Sequence, residues 1–502
     1  FVGKDSIRAY VYDDPVNKAV KGGFAVSGFN NAKKQTNDYL LVGPDSVRVF
    51  IDKAASTKGV KGGFAISGFG NAKGADEEYL RVTRDSTRIY VNENASKAAK
   101  GGFAVSGFSG FKGTTTPFTS LTPSNYLIGH NAGKELTTGL YNSFIGYESG
   151  LQTTIGSSNA FIGYQSGYNN FDGDSNLFVG FKSGFTNSTG DLNTFLGYRS
   201  GYSNLTGSQN TFLGSNTGYK NSTGASNTFV GFKAGYKNQS GSSNSFIGNL
   251  SGSSNISGGG NVFIGPESGL NNIDGGDNVY IGPQTGKNSS SGYWNIFMGS
   301  SAGSANTSGN QNIFIGYNSG LVSSTGIGNT FLGAFTGYSN IGGNHNVFIG
   351  TATGEQNTNG HFNTFLGSQS GRSNISGSGN IFVGNSAGMQ HKTGDNNIMI
   401  GVSAGHSVVN GQYNTMIGYE SGLNSDHNNN VFLGYQAGAS ENNDNRLVIA
   451  NTNTKNLIYG DFASDWVIIN NKLGINVSQY AMGSYTLQVN GNMKLGADGT
   501  EI

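Results

Sequence analysis

The chain has 502 residues, of which 83 are Gly and only 6 are Pro, with 32 Phe and 24 Tyr. That aromatic content excludes a disordered linker, and the lack of a Gly-X-Y triplet excludes collagen. A net charge of +1 gives no polyanion-binding footprint and no reason to expect nucleic acid, no Cys means no disulfide or thiolate chemistry, and apolar runs of four or five residues make no membrane span.

Residues 1–113 contain one unit three times, at a period near 40. Its first anchor is DSIRAYV at 5–11, DSVRVFI at 45–51 and DSTRIYV at 85–91; its second is GGFAVSGF at 22–29, GGFAISGF at 62–69 and GGFAVSGF at 101–108. Strict alternation predicts a strand in the first anchor, with Ile7, Ala9 and Val11 on one face and Arg8 and Tyr10 on the other. The pairs Arg8/Tyr10, Arg48/Phe50 and Arg88/Tyr90 form either a cation–π ladder along a shaft or solvated arginines beside half-buried rings. This part is mildly basic, with 17 Lys/Arg against 11 Asp/Glu. Residues 114–124 (TTTPFTSLTPS) read as a junction.

From 125 to 438 the period becomes 17. Counting from the glycine of the F-[LIV]-G phrase, copies fall at Gly129, Gly146, Gly163 and onward to Gly418, with a last copy at Gly434 one residue short, 19 in all. Every copy has an Asn four residues before this glycine and a second Gly four residues after it; the first 17 have a third Gly ten residues after it. So short and regular a period predicts a parallel β-solenoid with one coil per copy. In Asn-Thr-Phe-Leu-Gly (193–197), Phe195 takes one face of a strand and Thr194 and Leu196 the other. Both faces are apolar, so one fills the coil and the other needs a partner. Two or three large apolar side chains per coil contribute too little against the chain entropy of a coil, which points to homo-oligomerisation about the fibre axis. The structural columns are therefore Asn193, Phe195, Gly197, Gly201 and Gly207, and Leu196, Leu213 and Val230 are the interface candidates. The glycines suit corners at positive φ. The small residue before the second Gly, such as Ser200 or Thr217, implies close backbone approach. Asn193, Asn210 and Asn227 suit a left-handed corner or an amide ladder along the fibre.

Residues 439–502 lose the period but still read as short strands and turns. Because the chain opens on FVGKDS, matching LVGPDS at 41–46, a piece of a longer protein is expected.

Sites of chemistry are sparse. His130, His345, His361, His391, His406 and His427 fall at different repeat positions, which predicts scattered surface histidines rather than a metal column. Asp172, Asp174, Asp274, Asp277 and Asp395 lack a fixed spacing and read as polar turns before calcium ligands. The sequons at 187–189, 204–206 and 221–223 read as turn chemistry before glycan acceptors. Tyr198, Tyr202, Tyr219 and Tyr236 form either an exposed adhesive column or a cover over the core's edge. No paired carboxylates, nucleophile triad or phosphate loop has meaningful spacing, so neither an enzyme nor a cofactor is expected.

The N-x-F-[LIV]-G-x-x-[SAT]-G phrase resembles the head repeats of trimeric autotransporter adhesins of the YadA type over 125–438. The resemblance implies a parallel β-roll and a trimer; the longer repeat and the Phe imply a wider core, with a larger ring as the alternative. DSTRIYV at 85–91 and LGIN…LQVNGNMKLG at 473–496 are similar to phrases in repetitive secreted surface proteins of Bacteroidota and in phage tail fibres. There the latter phrase often precedes an S74-type chaperone domain, none of whose catalytic residues is found here. The expected function is a rigid segment of an extracellular, cell-surface fibre that attaches to other cells or surfaces; the alternative is a receptor-binding phage tail fibre.

Overall fold

A computed structural model describes residues 119–475 without a break; outside that stretch it describes six short strands before residue 90 and Leu487–Val489. The second anchors of the N-terminal repeats, and Tyr10, Phe50 and Tyr90 of the expected cation–π column, lie outside the described residues.

Two compact units divide the chain, Phe1–Thr119 and Ser120–Ile502. In the first, strands Val2–Gly3, Ser6–Arg8, Leu40–Val42, Ser46–Val49, Leu80–Thr83 and Thr87–Ile89 pair antiparallel in chain order. Each 40-residue repeat thus contributes two neighbouring strands to one sheet.

The second unit is a β-solenoid. One short strand recurs in each of the 19 coils, from Asn125–Ile128 to Val431–Leu433. Each pairs in parallel with the equivalent residues one coil on, as Thr194, Phe195 and Leu196 pair with Thr211, Phe212 and Leu213. At about 4.8 Å per step the ladder is roughly 86 Å long. The rest of each coil is turns, and these too are hydrogen-bonded from coil to coil: the Gly197 N–H donates to Val179 O at 2.8 Å and the Gly201 N–H to Thr217 O at 2.9 Å. Backbone polar groups are thereby satisfied all round the coil although only three residues of it are strand.

The phrase glycine ends the strand because only Gly adopts its backbone there: Gly197 has φ +140, and a Cβ on it would lie under 3.0 Å from the carbonyl oxygen of Gly214 in the next coil. Two further corners fall on non-glycine residues in left-handed geometry, two residues after this glycine (Arg199, φ 52) and five before it (Leu192, φ 57). The Asn column does not take the left-handed corner that its composition suggested; that geometry belongs to the residue before it, Leu192, Gln209 or Ser226. The amide is committed elsewhere. Asn193 Oδ1 accepts the Asn210 N–H at 3.0 Å, and Asn193 Nδ2 donates to Gly207 O at 2.9 Å.

Inside the coil the Phe column is fully buried. From Phe144 to Phe382, with Tyr280 as the one substitute, fifteen rings stack without interruption; Phe195 lies 4.8 Å from both Phe178 and Phe212. Tyr280 keeps its hydroxyl in this apolar file because Ser289 receives it at 2.8 Å, at a place where most coils carry the larger Asn.

That place, seven residues after the phrase glycine, is a second buried amide ladder. From Asn187 to Asn272 each Nδ2 donates to the preceding coil's Oδ1, as Asn204 does to Asn187 at 2.6 Å and Asn221 to Asn204 at 2.7 Å. These are the sequon asparagines. Asn187, Asn204 and Asn221 are fully buried, and each Nδ2 also donates to a glycine carbonyl three residues on, so the folded coil presents none of them to a glycosylating enzyme. The ladder fails at Ser323, where the Ser323 hydroxyl and Asn306 Oδ1 are both buried without a partner. Ser323→Asn would supply the missing donor to Asn306 and an acceptor to Asn340, and should stabilise the protein by about 1–2 kcal/mol, read as a higher urea midpoint.

The parallel ladder runs one rung past Gly438. Arg446–Ala450 pairs in parallel with Val431–Leu433, and the Arg446 N–H donates to Asn430 Oδ1 at 2.7 Å. Asn456–Asp461 and Trp466–Ile469 then add on antiparallel, with an Arg446–Asp461 ion pair across the first turn back. A strand with an antiparallel neighbour cannot continue a coil, so the repeat stops.

Candidate binding surface

Two surfaces of the solenoid are left open by these constraints. The first is the outer face of the strands. The residue before the phrase glycine is Ile, Leu, Val or Met in all 19 coils, and the residue two before that carries no charge in any of them. Leu196 is 43% exposed, Leu213 is 42% exposed and Val230 is half-buried, whereas Phe195 on the opposite face is fully buried. The interface candidates thus line one continuous apolar stripe, on a face that single-sided sheets ordinarily make polar.

The second is the corner after the strand. Tyr147, Tyr164, Phe181 and Tyr198, one residue after the phrase glycine, stack at 5.2–5.3 Å. Five residues after it, Tyr168, Phe185, Tyr202, Tyr219 and Tyr236 form a parallel file at 5.0–5.2 Å. Tyr198 is 46% exposed, while Tyr202, Tyr219 and Tyr236 are half-buried, so the four tyrosines belong to two files, one outward and one against the coil edge. Burial, then the neighbouring Tyr202, pushes the Tyr219 hydroxyl above its ordinary range.

Between the files sit cations, two residues after the glycine. Lys182 lies 5.7 Å from Phe181 and 5.0 Å from Phe185; Arg199 lies 5.2 Å from Tyr198 and 5.8 Å from Tyr202; Lys233 lies 5.1 Å from Phe232 and 5.6 Å from Tyr236. Their left-handed backbone aims each side chain over the corner. These wedged cations and the second amide ladder escaped sequence reasoning. The signal was present: the sequon asparagines recur in register, and two residues after the phrase glycine Lys or Arg follows an aromatic residue in three coils.

Gly201 and Gly207 serve different needs. Gly201 (φ +57) leaves room for the Phe195 ring, which a Cβ would strike; Gly207 needs no positive φ, but a Cβ there would meet Gly224 O. Ser200, the small residue before Gly201, is fully buried and donates to Phe212 O at 3.1 Å.

Of the five acidic residues named above, Asp174 and Asp395 have backbone partners. Asp174 Oδ1 accepts the Ser157 N–H at 2.7 Å, and Asp395 Oδ1 the Ser378 N–H at 2.7 Å, in a third coil-to-coil ladder six residues before the phrase glycine. Among the described residues no group of three His, Asp or Glu could hold a metal ion, and no helix is long and apolar enough to cross a membrane. One histidine is not at the surface as expected. His391 is fully buried in the second amide ladder, with Nδ1 3.3 Å from Asn374 Oδ1 and Nε2 3.2 Å from Asn397 Nδ2 and 3.3 Å from Gly411 O.

No protein-family model, curated protein or solved structure matches this chain.

Proposed function

We propose that the chain is a structural segment of an extracellular fibre, built from parallel copies of itself, that holds cells to other surfaces. The observation that carries this reading is the outer strand face, uncharged in all 19 coils and with Ile, Leu, Val or Met before the phrase glycine in every one. Its exposed area, on the order of 1,000 Å², exceeds the largest patch of an ordinary monomer and matches one side of a standard interface. A second copy in register would cover it over its whole length, because every coil repeats the same column. A trimer is the favoured number, from the resemblance to adhesin heads. The role is mechanical rather than enzymatic: repeated coils supply reach and stiffness, and side chains on the open corner supply contact.

Sedimentation of the full chain tests the assembly. A parallel oligomer is expected, and a stable monomer would sink the reading. The triple substitution Leu196→Asp, Leu213→Asp, Val230→Asp should dissociate it, since each Asp would be a buried unpaired charge in the interface. Phe195→Ala should instead lower stability by about 3–5 kcal/mol with oligomer number unchanged. Persistence of the oligomer in the triple variant would show that the outer face is not the interface.

A further inference from the structure

The net charge conceals a segregation that the coil geometry brings out. In the coils of Gly163 to Gly231, the corner one to six residues after the phrase glycine carries Lys182, Arg199, Lys220, Lys233 and Lys237 and no acidic residue. The acids of those coils, Asp172, Asp174 and Asp191, stand nine to eleven residues after the glycine. Asp174 and Asp191 are engaged there with the backbone N–H groups of Ser157 and Asp174. The aromatic files coincide with the cationic corner.

Coil architecture does not demand this. One residue after the glycine, other coils carry Asn249, Pro266 or Ser300, and five residues after it Ser253 or Ser304, with the same strand and ladder. The rings and cations are therefore a local addition to a repeat that folds without them.

We propose that this corner binds an acidic polysaccharide, a glycan chain bearing carboxylate or sulfate groups, laid along the solenoid axis. The proposal rests on the adhesive-fibre reading and names the chemistry of its target. Three features select that ligand. Cations recur one coil apart (Lys182, Arg199) and two coils apart (Arg199, Lys233), about 4.8 and about 9.6 Å, a repeat on the scale of one and two sugar units. The ring faces are stacked on each other, within 20° of parallel along each file, so faces are covered and the outward file offers ring edges with the exposed Tyr164 and Tyr198. Such a surface offers hydrogen bonds to a hydroxyl-rich chain, whereas nucleic-acid bases would need free ring faces. Arg199 is held by ring packing, its Nε buried without a hydrogen-bond partner, so the guanidinium is oriented before any anion arrives.

The test is biolayer interferometry of the full chain on polygalacturonate, dextran sulfate, uncharged dextran and single-stranded poly(dT). Both acidic glycans should bind, more weakly as salt rises, and their ratio tells carboxylate from sulfate preference. Lys182→Gln/Arg199→Gln/Lys233→Gln should weaken binding by about tenfold or more, and Lys392→Gln, an exposed lysine on another corner, should leave it unchanged. Because the three wedged cations also pack on rings, exposed Lys220→Gln/Lys237→Gln is a second variant, expected to weaken binding with the melting temperature unaltered. Equal binding of dextran, tighter binding of poly(dT), no binding of either acidic glycan, or binding indifferent to both sets of variants would each overturn the proposal. Sedimentation separates this from the broader reading: an assembled rod that ignores acidic glycans overturns this inference alone, and a monomer that binds them overturns only the assembly.

Discussion

Gly197→Ala is expected to open the solenoid at its coil, at a cost above about 4 kcal/mol. Two penalties coincide. At φ +140 an L side chain is strained whatever the space, and the added Cβ would lie under 3.0 Å from the Gly214 carbonyl oxygen. That oxygen is backbone, held in the coil-to-coil ladder, and cannot swing aside as a side chain can. Nearest-neighbour stacking carries a solenoid's stability, so loss of one coil exposes the strands on either side of it. Limited proteolysis should map new cleavage to residues near 190–215, with a lowered urea midpoint. Gly259→Ser supplies the contrast. Gly259 has no positive φ, and Ser208, Ala225 and Ser242 fill the same column in preceding coils. Its effect should stay within about 1 kcal/mol. Equal damage from both substitutions would contradict the distinction between glycines required by backbone approach and glycines that merely occupy a corner.

Stability should fall as pH drops from about 6.5 toward 4, through His391. Burial holds this imidazole neutral and pushes its pKa down to about 4, against 6.5 for a free side chain. Between those values the unfolded chain binds the proton and the folded chain does not, so stability decreases with falling pH and the loss is complete below about 4. At about 1.4 kcal/mol per unit, the window is worth roughly 3 kcal/mol. The nearby Asp426 and Asp395 oppose the shift without cancelling it. His391→Asn restores the residue that Asn340, Asn357 and Asn374 supply in the preceding coils of this ladder, and should remove this component. Urea titrations of wild type and variant at pH 7.5 and 4.5 isolate it, because the carboxylates common to both cancel in the difference. A difference that does not change with pH would mean that the buried ring accepts a proton without cost.

Much of the solenoid is legible in the sequence because its contacts are periodic. A column of identical residues at a spacing of 17 states which side chains meet, and parallel pairing in register follows from it, as Phe195 on Phe212 shows. The inward and outward faces of the strand are equally legible, since alternation over three residues leaves Phe on one side and the aliphatic residue on the other. Where a residue type serves several corners, composition does not say which. Asn193 suits a left-handed turn as well as an amide ladder, and only the backbone assigns φ 57 to Leu192 and the ladder to Asn193. The three glycines look alike as letters, yet Gly197 yields to a backbone oxygen, Gly201 to an aromatic ring and Gly207 to the next coil without needing positive φ.

By itself, the sequence determined the coil length, the coil count, the buried Phe file and the aliphatic outer column, because each is a statement about period and face. The tertiary structure decided which polar groups meet across coils: sequon asparagines turned inward as a ladder, His391 buried among them, acids bonded to backbone N–H groups, and cations wedged between two aromatic files. The physical reason is that hydrogen bonds and ring contacts are directional and depend on where each corner aims its side chain, which the path of the backbone fixes and the letters do not.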